Sequence, residues 1–375
     1  MGAEWQQHPS WELVEEASDA SERDVEALLL HADAEELKQT RNSQLSTFVM
    51  SMVILDAVER TGVEPAFHAG HSLGEYSALT ASGALAFDDA VRLVTERGNA
   101  MQAAADAEEG TMAAVLGLDD DKVELACHRT DGDVWVANYN APGQVVIAGS
   151  PAAIAAAADN AKELGAKRVM PIKVGGAFHT PFMSPARERL RKAIVDVDIR
   201  NPNRPVFANV DASPHPEGDE WGQLMGAQLT SPVRWRQTLH ALDEAGATVF
   251  LELGPGTVLT GMAKRTLSGS TNISISSPGH VDQLLEQLSG AVGPGPAQDG
   301  EHLYAAERLV VSPATGVFTA IDGLAGTTAV ARGQLVGTVG SVEVRSPFEG
   351  ALQGVLAVDG ERVTTSQPIA WLRTA

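Results

Sequence analysis

The 375 residues carry a formal charge of −22, with 44% hydrophobic and 20% charged side chains; this is a globular balance for about two to three domains, and the acidity excludes nucleic acid, whose phosphates need a basic surface. An anionic substrate must therefore be met by local cations, against the overall field. The single cysteine, Cys127, cannot close an internal disulfide and fits a reducing cytoplasm, while no apolar run approaches the roughly 18 residues of a membrane span and no charged-then-apolar leader opens the sequence.

Residues 1–110 read as mostly helical with one short strand. Leu45, Phe48, Val49, Met52 and Val53 fall at helical spacing between Ser43 and Thr61, and Gly62 marks the stop. Ala66–Gly70 follows as a strand and Leu73–Ser82 as a helix. Between them lies Gly70-His71-Ser72-Leu73-Gly74, a G-x-S-x-G pattern in the strand–turn–helix setting that gives it meaning. A tight turn there strains Ser72, flanking glycines let backbone approach, and the helix start offers free N–H groups to an oxyanion. The bland alternative is an accidental turn. Helix Asp88–Ala103 then sets Val91, Val94 and Met101 on one stripe with Arg97 among them. A guanidinium on a buried stripe needs a carboxylate, supplied either by an internal Asp or Glu or by a substrate.

The rhythm changes over 111–175, with strands at Thr111–Leu118, Val134–Asn138, Gln144–Ala148 and Lys167–Val174. Helices Asp119–Arg129 and Pro151–Leu164 fall between them, and residues 140–143 form a turn. That βαββαβ order is the ferredoxin-like split unit, inserted into a larger α/β domain. A glycine-rich apolar loop carrying His179 follows at once. A serine nucleophile needs such a base, although a packed or surface histidine is the ordinary fate of most of the ten histidines. No Cys/His cluster suggests a metal. Residues 176–288 return to α/β character, with strand Thr248–Leu253 and helix Thr257–Thr266, and 289–300 read as a Gly/Pro linker leading into a domain at 308.

The last stretch repeats itself. Ser312-Pro313 and Gly316 return as Ser346-Pro347 and Gly350. Val330, Gln334, Val336 and Val339 return as Val363, Gln367, Ile369 and Leu372. Two related halves imply a small all-β sandwich.

Several segments together resemble the malonyl-CoA:acyl carrier protein transacylase family over about residues 1–290. They are Gly70–Tyr76, Arg97-Gly98 with Met101-Gln102, Asn140–Gln144, Gly176–Met183, Gln228-Leu229 with Pro232–Trp235, and Glu252–Gly256. The resemblance implies an α/β-hydrolase-like core, malonyl-CoA and acyl carrier protein as partners, and no cofactor. It makes Ser72 the nucleophile and His179 its base, the imidazole being oriented by the Gln228 backbone carbonyl. Arg97 would grip the malonyl carboxylate, the Leu73 N–H would donate to the oxyanion, and Asn140 would join the substrate site. The Phe178-His179 pair resembles the malonyl-selecting form. The family's opening strand and its Gly-Gln-Gly-Ser-Gln loop, with a second oxyanion donor, have no counterpart here, because Met1–Trp5 resembles the segment just after that loop.

Residues 308–375 resemble the biotinyl/lipoyl carrier domains. No lysine follows Lys264, so neither group can be attached as a lysine amide, and a docking or assembly role is the expectation. Rival readings of the whole are a serine thioesterase or esterase built on the same turn, and a non-catalytic scaffold. Arg187, Arg189, Arg191 and Lys192 could meet an acidic carrier, or simply form a solvated helix face.

Overall fold

Helix Thr40–Glu59 is central to the larger part of the molecule. Leu45, Phe48, Val49, Met50, Met52, Val53 and Ile54 are all buried, so the helix is enclosed on nearly every side and not along one stripe alone. It begins three residues earlier than the apolar spacing predicts, because the Gln102 side chain accepts the Thr40 N–H at 2.9 Å. Helix Phe87–Ala107 lies along it. A Cβ on Gly98 would stand 2.9 Å from the Arg41 Cα, so glycine permits the close crossing directly beside Arg97.

The computed structural model describes residues 1–291, 307–321, 329–365 and 367–373. The chain divides into two units, Met1–Gly293 and Pro294–Ala375. The linker expected at 289–300 lies mostly outside the described residues, its first three forming the end of helix Pro278–Ala291.

In the larger unit, strand His68–Ala69 pairs in parallel with Val206–Phe207, and Val249–Leu253 pairs in parallel with Thr271–Ile275. Both first strands are shorter than their sequence patterns, and each has one edge without a strand partner among the described residues. A largely apolar cavity of about 1010 Å3 runs past both, lined by residues 65–70 and 247–254 and by helical side chains such as Leu55 and Met262.

The insertion is a four-stranded antiparallel sheet. Its spatial order is Val134–Ala141, Gln144–Gly149, Thr111–Leu116, Arg168–Ile172, with helices Asp120–His128 and Pro151–Glu163 packed on it around Val115, Val123, Val145, Ile147 and Ala157. Strand Val134–Ala141 runs three residues further than expected. Pro142-Gly143 alone makes the turn, with Gly143 at φ 64°, as a type II turn demands, and two register shifts re-aim residues 138–141.

The smaller unit holds two four-stranded sheets. In one the order is Val342–Arg345, Leu335–Val339, Gly316–Ala320, Arg362–Val363; in the other it is Ala329–Val330, Gly350–Val355, Pro368–Arg373, Glu307–Val311. The sequence repeat is visible as repeated bonding. Ser312 Oγ donates to the Ala314 carbonyl and Ser346 Oγ to that of Phe348, at 2.6 and 2.7 Å. Gln334 and Gln367 each accept a backbone N–H three residues upstream. The paired repeat positions Val330/Val363, Val336/Ile369 and Val339/Leu372 are all core. Strands 335–339 and 342–345 are joined by Gly340-Ser341, with Gly340 at φ 59°. Phe318, fully enclosed in this core, should cost roughly 3–5 kcal/mol when changed to alanine. The check is an earlier unfolding transition of this unit, by calorimetry or hydrogen exchange at its strands.

Candidate active site

Strand His68–Ala69 gives way to helix Gly74–Ala81 within four residues, so the backbone must reverse sharply. Ser72 takes the strain at φ 52°, a left-handed conformation that costs a non-glycine residue about 1–3 kcal/mol. Its peptide is held from both sides. Asn209 Oδ1 accepts the Ser72 N–H at 2.7 Å, and Gln228 Nε2 donates to the Ser72 carbonyl at 2.8 Å. Asn209 Nδ2 also donates to the Gly70 carbonyl at 2.7 Å. A Cβ on Gly70 would stand 1.8 Å from the Gly74 carbonyl oxygen, so that position admits only glycine. Gly74 faces open space, so close approach explains the first glycine and not the second. The Ser72 N–H is taken, whereas the Leu73 N–H has no partner among the described residues.

His179 arrives from the loop after strand Arg168–Ile172, also left-handed at φ 61°. Its Nε2 lies 2.8 Å from Ser72 Oγ and its Nδ1 2.8 Å from the Gln228 carbonyl. A carbonyl only accepts, so Nδ1 carries the proton and Nε2 presents a lone pair to the serine hydroxyl. Burial, and then the nearby Arg97 charge, push the imidazole down to about 3, against the pull of the Gln228 carbonyl. The imidazole is therefore neutral at pH 7, with no proton on Nε2.

Arg97 is 1% exposed and reaches the same oxygen, its Nη2 donating to Ser72 Oγ at 3.0 Å and to Gln228 Oε1 at 2.9 Å. Nη1 donates to Gln44 Oε1, the guanidinium carbon stands 5.4 Å over the Tyr76 ring, and Nε is left without a partner among the described residues. No ion pair among those residues includes Arg97, so the internal salt bridge open from sequence is not formed. Burial lowers its pKa, opposed by the charge of Glu75. Glu75, 1% exposed, accepts from the Asn209 N–H and from Gln228 Nε2, both at 2.7 Å. Burial pushes its carboxyl up to about 7 despite those donors and Arg97.

Ser72, His179, Arg97, Leu73 and Gln228 are thus brought together in space. Asn140 is engaged otherwise, its Oδ1 meeting His71 Nε2 at 2.9 Å. The basic helix 184–194 is largely self-satisfied. Arg189 pairs with Glu96, Arg191 with Glu188, and Arg187 bonds Thr230. Sequence reasoning missed Gln44, Glu75, Asn209 and the Gln228 side chain. Asn209 had one usable signal, a polar residue just past a strand's carboxyl end where such folds place their sites. Among the described residues there is no metal-ligating cluster, and no helix is long and apolar enough to cross a membrane.

The acyl transferase domain family matches residues 8–284. The malonyl CoA-acyl carrier protein transacylase of Bacillus subtilis is 39% identical over 279 residues, covering 74% of this chain and 88% of that protein. The Escherichia coli K12 protein of the same name is 38% identical over 278 residues, 73% of this chain and 90% of that one. Among solved structures, the transacylase of Coxiella burnetii superposes with a TM-score of 0.74 at 37% identity, covering 77% of this chain and 93% of the other. A malonyl-transacylase in complex with its type II PKS acyl-carrier protein also gives 0.74, at 35% identity, over 76% of this chain and 94% of the other.

The depressed His179 pKa sets a pH expectation. An unshifted imidazole would lose half its base function near 6.5, whereas labelling of Ser72 by a fluorophosphonate should persist well below pH 6. The same shift makes a stability contribution that is full above pH 6.5 and is lost as pH falls from 6.5 towards about 3, where the unfolded chain protonates first. Labelling rates and chemical unfolding between pH 8 and 4 check both.

Proposed function

The chain belongs to the acyl transferase domain family, and on that footing we propose that it moves a malonyl group from malonyl-CoA to the phosphopantetheine thiol of an acyl carrier protein, serving fatty-acid or polyketide assembly. The observation that carries the specificity is Arg97. It is a buried cation with no carboxylate of its own among the described residues, donating to Ser72 Oγ at 3.0 Å. A short acyl group ending in a carboxylate fits between that cation and the serine; a plain ester leaves the charge unanswered.

The steps use only this chain's residues. Ser72 Oγ attacks the thioester carbonyl as its proton passes to His179 Nε2, and the Gln228 carbonyl steadies the imidazolium through Nδ1–H. The Leu73 N–H donates to the oxyanion, one such donor being worth about 3–4 kcal/mol. The coenzyme A sulfur leaves and takes the proton from His179. The carrier thiol then gives its proton to His179, its sulfur attacks the malonyl-serine ester, and Ser72 Oγ departs with that proton. Nothing in this sequence calls for a cofactor. Asn140 acts at one remove, by holding His71 beside the turn.

The antiparallel βαββαβ sheet at 111–175 supports reading it as a ferredoxin-like subdomain within an α/β-hydrolase-like core of 1–110 and 176–288. The paired four-stranded sheets at 308–375 support a biotinyl/lipoyl-like domain that serves docking, without the modifiable lysine. A cytoplasmic setting fits the lone Cys127, whose thiol burial pushes up to about 12.

Intact-mass spectrometry after mixing with malonyl-CoA should show a malonyl adduct on the wild type and none on Ser72→Ala. Rapid loss of that adduct to water would favour a hydrolase, and no adduct a scaffold. Arg97→Ala should lower kcat/KM for malonyl transfer by about 10- to 100-fold, the scale of hydrogen bonds to a charge, while largely sparing acetyl transfer. Equal losses for both acyl groups would remove Arg97 as the carboxylate's partner.

A further inference from the structure

Glu75 takes no part in the steps above, yet among the described residues it is the one carboxyl group that bonds both groups gripping the serine turn. Asn209 holds the Ser72 N–H and the Gly70 carbonyl with its side chain, and gives its own backbone N–H to Glu75 Oε1 at 2.7 Å. Gln228 holds the Ser72 carbonyl with Nε2, and gives a second Nε2 hydrogen to Glu75 Oε2 at 2.7 Å.

These contacts also decide which way the Gln228 amide points. Its nitrogen faces two acceptors, the Ser72 carbonyl and Glu75. Its oxygen faces a pure donor, Arg97 Nη2 at 2.9 Å. Turning the amide over would set NH2 against the guanidinium and oxygen against two acceptors. A carboxylate at 75 forbids that. It also supplies Arg97 with negative charge one amide away, without occupying the guanidinium.

We propose that Glu75 is a positioning residue: its two oxygens lock the Gln228 amide and the Asn209 backbone, and through them set the orientation of Arg97 that selects an acyl group bearing a carboxylate. The inference rests on the malonyl-transfer reading and goes one layer beneath it. A residue that merely braced the fold would, when changed, weaken transfer of every acyl group alike. One that orients Arg97 weakens malonyl transfer more than acetyl transfer.

Glu75→Gln tests this at nearly constant shape. An amide offers one acceptor where two donors need one, so the contact to Gln228 or to Asn209 becomes donor against donor. The experiment measures acylation of Ser72 in the full chain by malonyl-CoA and by acetyl-CoA, with thermal unfolding alongside. The expected result is a loss of about 100-fold with malonyl-CoA and about 10-fold with acetyl-CoA, a tenfold fall in their ratio. A folded Glu75→Gln protein that keeps the wild-type ratio overturns the proposal. Should that variant yield no folded protein, the same ratio on Glu75→Asp decides. That change keeps the charge but shortens the reach, so one of the two contacts is lost; a lowered ratio supports the proposal and an unchanged one overturns it. A wild type without preference for malonyl-CoA would instead sink the malonyl reading itself.

Discussion

One oxygen atom concentrates the chemistry of this protein. Ser72 Oγ gives its proton towards a bare imidazole nitrogen at 2.8 Å and receives a hydrogen bond from a buried guanidinium at 3.0 Å. The two partners come from segments 107 and 25 residues away, and the Gln228 that steadies all three lies 156 residues on. Nothing local brings these groups together. The convergence requires the strained turn at Ser72, the strained backbone at His179 and the glycine-permitted helix crossing beside Arg97, each held by hydrogen bonds that offset its cost.

The electrostatics follow from where the charges are and not from how many there are. A chain of net charge −22 repels anions at long range. Inside the site the order is reversed. Arg97 is shut away from solvent and bonded by neutral amides, and the carboxyl of Glu75 stands one amide further off. Burial weakens the hold of each group on its charge, lowering Arg97 and raising Glu75, and the two partly restore one another. The same burial keeps His179 unprotonated, so one physical cause acts on both the imidazole and the guanidinium that meet Ser72.

Much of this could be read in the sequence, and the remainder has identifiable reasons for staying hidden. The serine turn was legible because sterics at Gly70 leave a signature in residue type. Arg97 was legible because a cation on an apolar stripe is an anomaly. The insertion and the two-fold repeat were legible from strand spacing and from Ser312 and Ser346. Glu75, Gln44 and Asn209 were not. Each is an ordinary polar residue whose meaning lies in partners 53 to 153 residues away, and no periodicity marks such a pairing. The Asn140 turn was misjudged because register shifts, which depend on the neighbouring strand, extended the hairpin and handed that side chain to His71. For Gln228, resemblance supplied the backbone role, but the side chain's hold on Arg97, Glu75 and Ser72 emerges only in three dimensions.

The account stands on His179 being a neutral imidazole with its proton on the Gln228 side. Nitrogen-15 NMR of the histidine-labelled protein reads this directly. The expected spectrum shows a protonated Nδ1 and a bare Nε2 for this residue from pH 8 to below pH 6, shifting when Ser72 is acylated. An imidazolium already formed near pH 6.5, or a proton resting on Nε2 instead, would contradict it.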